Sequence, residues 1–128
     1  MRPHENLEVW QKAVEFVLLI YKQTNSFPSD EKFGLTSQIR RAAVSIPANI
    51  AEGAGRQSDK EFIRFLSIAQ GSCSEVETEI LIGHKLGYLT PEAYITLKNS
   101  AEPIGRMLVG LTKHLTKKIQ AKRDDRDI

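Results

Sequence analysis

Residues 39–53 read IRRAAVSIPANIAEG. Ile39, Ala43, Ile46, Ile50 and, just beyond, Ala54 fall three or four residues apart, the spacing of one buried face of an α-helix. A second row at the same spacing, Gln38, Arg41, Ser45, Asn49, Glu52 and Arg56, is entirely polar. Pro47 stands between the two rows. It removes its own N–H and crowds the carbonyl of Ala43, which costs about 3 kcal/mol in an ordinary helix interior and predicts a bend. The residues around it are small, Ala42, Ala43, Ser45, Ala48 and Ala51, so a neighbouring helix can come close. The stretch therefore reads as a core helix with a tight packing face and a polar edge.

Working outward, the chain shows helical periodicity in four segments and no convincing strand alternation. The first is expected over about 6–24, with Asn6 as N-cap and a stripe of Leu7, Trp10, Val14, Val17 and Tyr21, widened by Ala13, Phe16 and Ile20. NSFPSD then breaks it. The second, over about 30–54, carries the opening stretch and ends among Gly53 and Gly55. The third, over about 58–86, opens on SDKE, a capping box. Its apolar row is Phe62, Leu66, Ala69, Cys73, Val76 and Ile80, and Gly87 closes it. The fourth, over about 91–119, opens on TPEA and carries the seam Tyr94, Leu97, Ala101, Ile104, Leu108, Leu111 and Leu115. The charged tail 120–128 is expected to fray. Long helices, short loops and heptad-spaced seams predict an all-α fold: an up-down-up-down antiparallel four-helix bundle, one domain over 1–128.

Composition narrows the function classes. The chain has 128 residues, 18 Lys plus Arg against 16 Asp plus Glu, and a single cysteine. That balance does not by itself imply nucleic acid; local clustering must do so. Cys73 has no disulfide partner in the chain, which fits a reducing, cytoplasmic setting. The opening MRPHENLEVWQK lacks the apolar region of a signal peptide, and no run approaches a membrane span.

Few residues suggest catalysis. His4, His84 and His114 are not spaced as ligands, and Cys73 lies on an apolar seam, so no metal, cofactor or catalytic residue is expected. AEGAGR lacks the preceding strand and the Gly-Lys-Ser/Thr of a phosphate loop and reads as a helix exit, with Arg56 and Lys60 beside the next helix start. Glu75 and Glu79 are like charges at i, i+4, which costs a few tenths of a kcal/mol and suggests a use. Pairing with a cation across an interface is favoured over acid–base chemistry or a solvated face. The small row Ser67, Gly71, Ser74 and Thr78 of the third helix is expected to pack on the small residues of the second. The subunit-interface candidates are accordingly Arg41, Ser45, Asn49, Glu52, Glu75 and Glu79, with a plain solvent-facing row as the alternative. Arg40, Arg41, Arg56, Lys60 and Arg64 are read as one basic cluster at one end of the second and third helices, and as nucleic-acid-binding candidates. Lys113, Lys117, Lys118, Lys122 and Arg123 form a second group.

The pieces FGLTSQIRRAAVSIPANIAEG, FLSIAQGSCSEVETE and LGYL, within residues 7–89, closely resemble the four-helix-bundle family of 23S rRNA intervening-sequence proteins. That family includes the accessory protein of diversity-generating retroelements. The fourth helix matches only in pattern. The resemblance implies a ring-like homopentamer without enzymatic activity. It also implies RNA or DNA, or a protein such as a reverse transcriptase, as partner, through a basic surface drawing on Arg40, Arg41 and Arg56. The leading expectation is a non-enzymatic oligomeric protein that binds nucleic acid or a nucleoprotein through basic patches multiplied by symmetry. The alternative is a protein-binding assembly scaffold without nucleic-acid affinity, and a third reading, an enzyme, rests on the glutamates alone.

Overall fold

The structure, a computed structural model, describes residues 2–127. Four α-helices carry the fold: α1 (Glu8–Thr24), α2 (Leu35–Ala54), α3 (Asp59–Lys85) and α4 (Pro91–Asp127), with short 3-10 turns at Pro3–Asn6 and Ser29–Glu31. Each helix packs on the next and α1 closes against α4, so the four surround one core. Cross-helix pairs fix the antiparallel sense. Gly53 near the end of α2 abuts Phe65 near the start of α3, and Ser45 meets Ser72 farther along. Lys118 of α4 reaches Asp59 at the start of α3, while Tyr94 stacks on His84 at its end. The all-α bundle expected from the seams is therefore the observed fold.

The core rows of α2, α3 and α4 follow the spacing closely. Ile39, Ala43, Ile46 and Ile50 of α2 are buried, as are Leu66, Ala69, Cys73, Val76 and Ile80 of α3. Leu97, Ala101, Ile104, Leu108 and Leu115 supply α4's share. Burying the Ile, Leu and Val side chains among them contributes about 1.5–3 kcal/mol each. Pro47 is buried, and α2 continues through it, so the lost hydrogen bond does not end the helix.

Several expectations need correction. On α1 the buried seam is Val9, Ala13, Phe16, Ile20 and Thr24, one position round from the predicted stripe; Tyr21 is 42% exposed. Two apolar rows lie side by side there, and Thr24 continues the buried one, its hydroxyl donating to Ile20 O and accepting from Arg40 Nε of α2. Asn6 is not the N-cap: it ends a 3-10 turn, Leu7 is extended, and α1 begins at Glu8 without a side-chain cap. The second helix begins at Leu35, not at 30. A 3-10 turn occupies Ser29–Glu31, and Glu31 Oε1 accepts from the free N–H of Leu35. Half of the capping box of α3 is present, Ser58 Oγ accepting from Glu61 N, while Glu61's carboxylate turns to Arg64 instead of reaching back.

The tail does not fray at 120 but stays helical to Asp127. Lys118 is tied to Asp59, Gln120 donates to Asp124, and neither Gly nor Pro follows Gly110. Ile128 lies outside the described residues. The small row of α3 also behaves otherwise than expected: Ser67, Gly71, Ser74 and Thr78 are all exposed, and a Cβ on Gly71 would meet nothing within 4 Å. Close approach of α2 and α3 occurs instead at Gly53, where a Cβ would come within 2.7 Å of Phe65 Cβ.

One more contact positions the surface. Phe27, in the α1–α2 connection, packs on Gly83 and on the Tyr88 ring, 5.4 Å between centroids. Tyr88 Oη donates to Glu31 Oε2 at 3.0 Å. The two loops at this end of the bundle thus hold each other, and the start of α2 is fixed between them.

Candidate binding surfaces

The five basic residues read as one cluster are not brought together. Arg41 and Arg56 are fifteen positions apart on or just beyond one helix, which at about 1.5 Å per residue separates them by roughly 22 Å. Arg40 and Arg41 stand at the start of α2; Arg56, Lys60 and Arg64 stand where α2 ends and α3 begins. Sequence distance along a helix, hidden when the residues are treated as a group, divides them.

Arg40 works inside the fold. Its Nε donates to Thr24 Oγ1 at 2.9 Å, its Nη2 donates to Tyr21 O and Asn25 Oδ1, and its guanidinium lies 4.5 Å from the Tyr21 ring centroid. It fastens α2 to the end of α1 through neutral acceptors and a ring. Arg41 is exposed, its one hydrogen bond going to Ser37 Oγ at 3.4 Å. At the other end Arg56 pairs with Glu52 at 2.9 Å and Arg64 with Glu61 at 3.0 Å, and both guanidinium groups stack on Phe65. The Arg64 hydrogen bond and charge hold Glu61 below the usual carboxylate range and raise Arg64. These exposed pairs hold side chains in place more than they stabilise the fold.

Lys60 has a different setting. A cleft of about 440 Å3 runs between the start of α3 and the end of α4, lined by Lys60, Lys118, Lys122, Arg123 and Arg126, with Asp59 as the acidic member. The second basic group thus merges with part of the first because α4 remains helical to its end. Arg126 escaped the sequence reading for the same reason: residues assigned to a fraying tail have no place in space. The helix periodicity of Lys118, Lys122 and Arg126, each four apart, was the available signal.

The interface candidates share one edge of α2 and α3. Ser45 Oγ and Ser72 Oγ are 2.8 Å apart, and Asn49 Nδ2 donates to Ser45 O and Oγ. Glu52 is taken by Arg56. Glu75 is exposed, whereas Glu79 is 7% exposed and its Oε1 is buried without a hydrogen-bond partner. Burial, reinforced by the charge of Glu75, pushes the Glu79 carboxyl up to about 7. Gln38, Arg41, Ser45, Ser72, Glu75 and Glu79 line a cleft of about 300 Å3.

An unforeseen feature lies next to it. Phe33 is 90% exposed and, with Tyr21, Val44, Lys32, Arg40 and Arg41, lines a cleft of about 470 Å3. Phe33 lies off the apolar rows, so periodicity gave no reason to single it out.

His84, His4 and Cys73 serve packing, and His114 is exposed. His84 stacks on Tyr94 at 4.6 Å, and His4 meets the Trp10 ring edge-on at 4.9 Å. Burial pushes the Cys73 thiol up to about 11, away from reactivity. Among the described residues no three His, Cys, Asp or Glu side chains gather as a metal site, and no helix is long and apolar enough to cross a membrane.

Comparison with known proteins agrees with this architecture. A solved structure from Bacteroides thetaiotaomicron, described as a protein of unknown function from the S23 ribosomal protein family, has the same fold, with a TM-score of 0.74 and 31% identity. The similarity covers 82% of this chain and 98% of that one. No curated protein matches the chain. A family model described as 23S rRNA-intervening sequence protein matches residues 5–110, which takes in α1 to α3 and half of α4 and leaves the basic end of α4 outside. The chain belongs to the 23S rRNA-intervening sequence protein family.

Proposed function

We propose that this protein acts by binding rather than catalysis, as a cytoplasmic oligomer that holds nucleic acid or a nucleoprotein on basic clefts repeated by symmetry. The observation that carries the reading is the cleft of about 440 Å3 between α3 and α4, which gathers Lys60, Lys118, Lys122, Arg123 and Arg126 in its lining. Among the described residues that line the cleft only Asp59 opposes them, and Lys118 already pairs with it at 3.3 Å. Each phosphate that these cations neutralise releases condensed counterions, and that release drives binding. In a ring of identical chains, a homopentamer by the family resemblance, the cleft recurs on every copy and modest local affinity becomes avidity. The family's description points to structured ribosomal RNA as the first probe.

The test is a gel shift of the full chain with structured RNA and with duplex DNA over a range of salt. Binding that weakens steeply as salt rises is the expected result; the absence of any shift at low salt overturns the nucleic-acid reading. A second reading, a protein-binding scaffold with a partner such as a reverse transcriptase, is favoured by Phe33, an aromatic side chain left 90% exposed beside Tyr21 and Val44. It predicts salt-tolerant capture of a protein partner, lost in Phe33→Ala, and no affinity for RNA.

A further inference from the structure

The cleft between α2 and α3 holds a group that the protomer leaves unsatisfied. Glu79 is more than nine-tenths buried and its Oε1 has no donor. Thr24, also buried, both donates and accepts. An unmet buried carboxylate oxygen is costly enough to require an explanation. Of the donors that line the cleft, Ser45 and Ser72 bond each other and Arg41 bonds Ser37, and neither these nor Gln38 donates to Glu79 Oε1. None of the ion pairs among the described residues joins Arg41 to Glu75 or Glu79.

The chemistry of the missing group follows from the walls. Two carboxylates against one guanidinium attract a cation and repel a phosphate, so this cleft does not suit nucleic acid. About 300 Å3 accommodates a side-chain head group. Arg41 also lines the neighbouring cleft of Phe33 and Val44, so the desolvated carboxylate is continuous with an apolar anchor, the make-up of a protein contact. We propose that a lysine or arginine side chain of a second copy of this chain enters the α2–α3 cleft and donates to Glu79, so that assembly completes the site. The proposal rests on the assembly part of the reading above and adds which chemistry joins the copies.

It carries a consequence for protons. The charged groups facing Glu79 are Glu75 on its own helix and Arg41 on α2; on the far side of α3, Lys98 of α4 lines a separate cleft with Glu77. In a lone protomer Glu79 keeps its proton up to about pH 7, through burial and Glu75. An incoming cation favours the ionised form, so association releases that proton. Sedimentation equilibrium of the full chain across pH 5.5–8.5, with wild type and Glu79→Gln, reads this directly. The expected association constant per interface rises by up to about tenfold per pH unit below about 7 and levels above it. Glu79→Gln loses that slope and at high pH assembles more than about tenfold more weakly. Carbon-13 NMR of the Glu79 carboxyl, which needs no variant, is expected to titrate at lower pH in the assembly than in dilute protomer. A Glu79→Gln protein that assembles as tightly as wild type with the same pH profile, or a carboxyl whose titration ignores assembly, overturns the proposal and leaves assembly standing. A wild-type chain that stays monomeric at every concentration overturns the assembly reading and this proposal with it.

Discussion

Glu79 and Arg40 show how differently a charged side chain can meet the same bundle. Arg40 is half-buried yet satisfied, because its fork of donors reaches three neutral oxygens and its face lies on Tyr21. Glu79 is more deeply buried and lacks a donor at Oε1, so the protomer favours its neutral form and pushes its carboxyl from the ordinary 4.5 up to about 7. The sign of the stability effect follows. Below about pH 4.5 folded and unfolded chains both hold the proton. Between about 4.5 and about 7 the unfolded chain ionises first, so stability falls as pH rises, and above about 7 the full cost remains. For dilute protomer the loss is on the order of 3 kcal/mol. Glu79→Gln is expected to lack this fall and to be more stable than wild type at about pH 8, as read by thermal or denaturant unfolding at both ends of the window. A wild type and variant with parallel pH profiles would mean that Glu79 finds a donor within its own protomer.

At the scale of elements, two glycines on the facing helices α2 and α3 make opposite predictions from one principle. Replacing a mid-helix glycine with alanine stabilises a helix by about 1 kcal/mol. At Gly71 nothing lies within 4 Å of the new Cβ, so Gly71→Ala is expected to raise the protomer's unfolding free energy by that amount. At Gly53 the Cβ would meet Phe65 Cβ at 2.7 Å and Phe62 Cδ1 at 2.9 Å, against α3. Overpacking of that kind costs about 1–3 kcal/mol and outweighs the propensity gain, so Gly53→Ala is expected to destabilise. Denaturant midpoints of the two variants against wild type decide the matter. The pair also measures what was legible in the sequence. Seams of α2, α3 and α4 were readable because their apolar rows have no rival row, whereas on α1 two apolar rows compete and the choice falls to packing against α2 and α4, which local spacing does not encode. Small residues announced that helices come close, but not which small residue faces which helix, so Gly71 was given the part that Gly53 plays. Helix starts failed where a 3-10 turn, or a glutamate four residues upstream, replaced the usual N-cap side chain. Of the candidate surfaces, the polar edge of α2 and α3 was readable as a row; Glu79's missing donor, Phe33's exposure and the basic cleft depend on where neighbouring helices end, which periodicity does not encode.

Over the whole molecule, the two kinds of surface lie at different places and carry opposite electrostatics. The start of α2 presents Arg41 beside the desolvated Glu79, a setting for a protein cation, while the start of α3 and end of α4 gather five basic side chains suited to phosphate. A protein that used one face for sister chains and the other for nucleic acid would show separable defects. Lys122 and Arg123 are exposed and line the basic cleft, with no part in the core. Lys122→Ala and Arg123→Ala are each expected to leave unfolding and assembly unchanged within about 0.5 kcal/mol. Each should lower the slope of log affinity against log salt by about 0.9 for each phosphate no longer neutralised on duplex DNA, or about 0.7 on a single strand, for every copy engaged. The slope is the informative quantity because it reports the phosphates neutralised irrespective of the RNA sequence. Its change per substitution therefore tells how many copies touch one nucleic acid at once. A slope that falls by several times the single-phosphate amount for one substitution signals binding around a ring. An unchanged slope, in a variant that still assembles, assigns phosphate binding to some other surface.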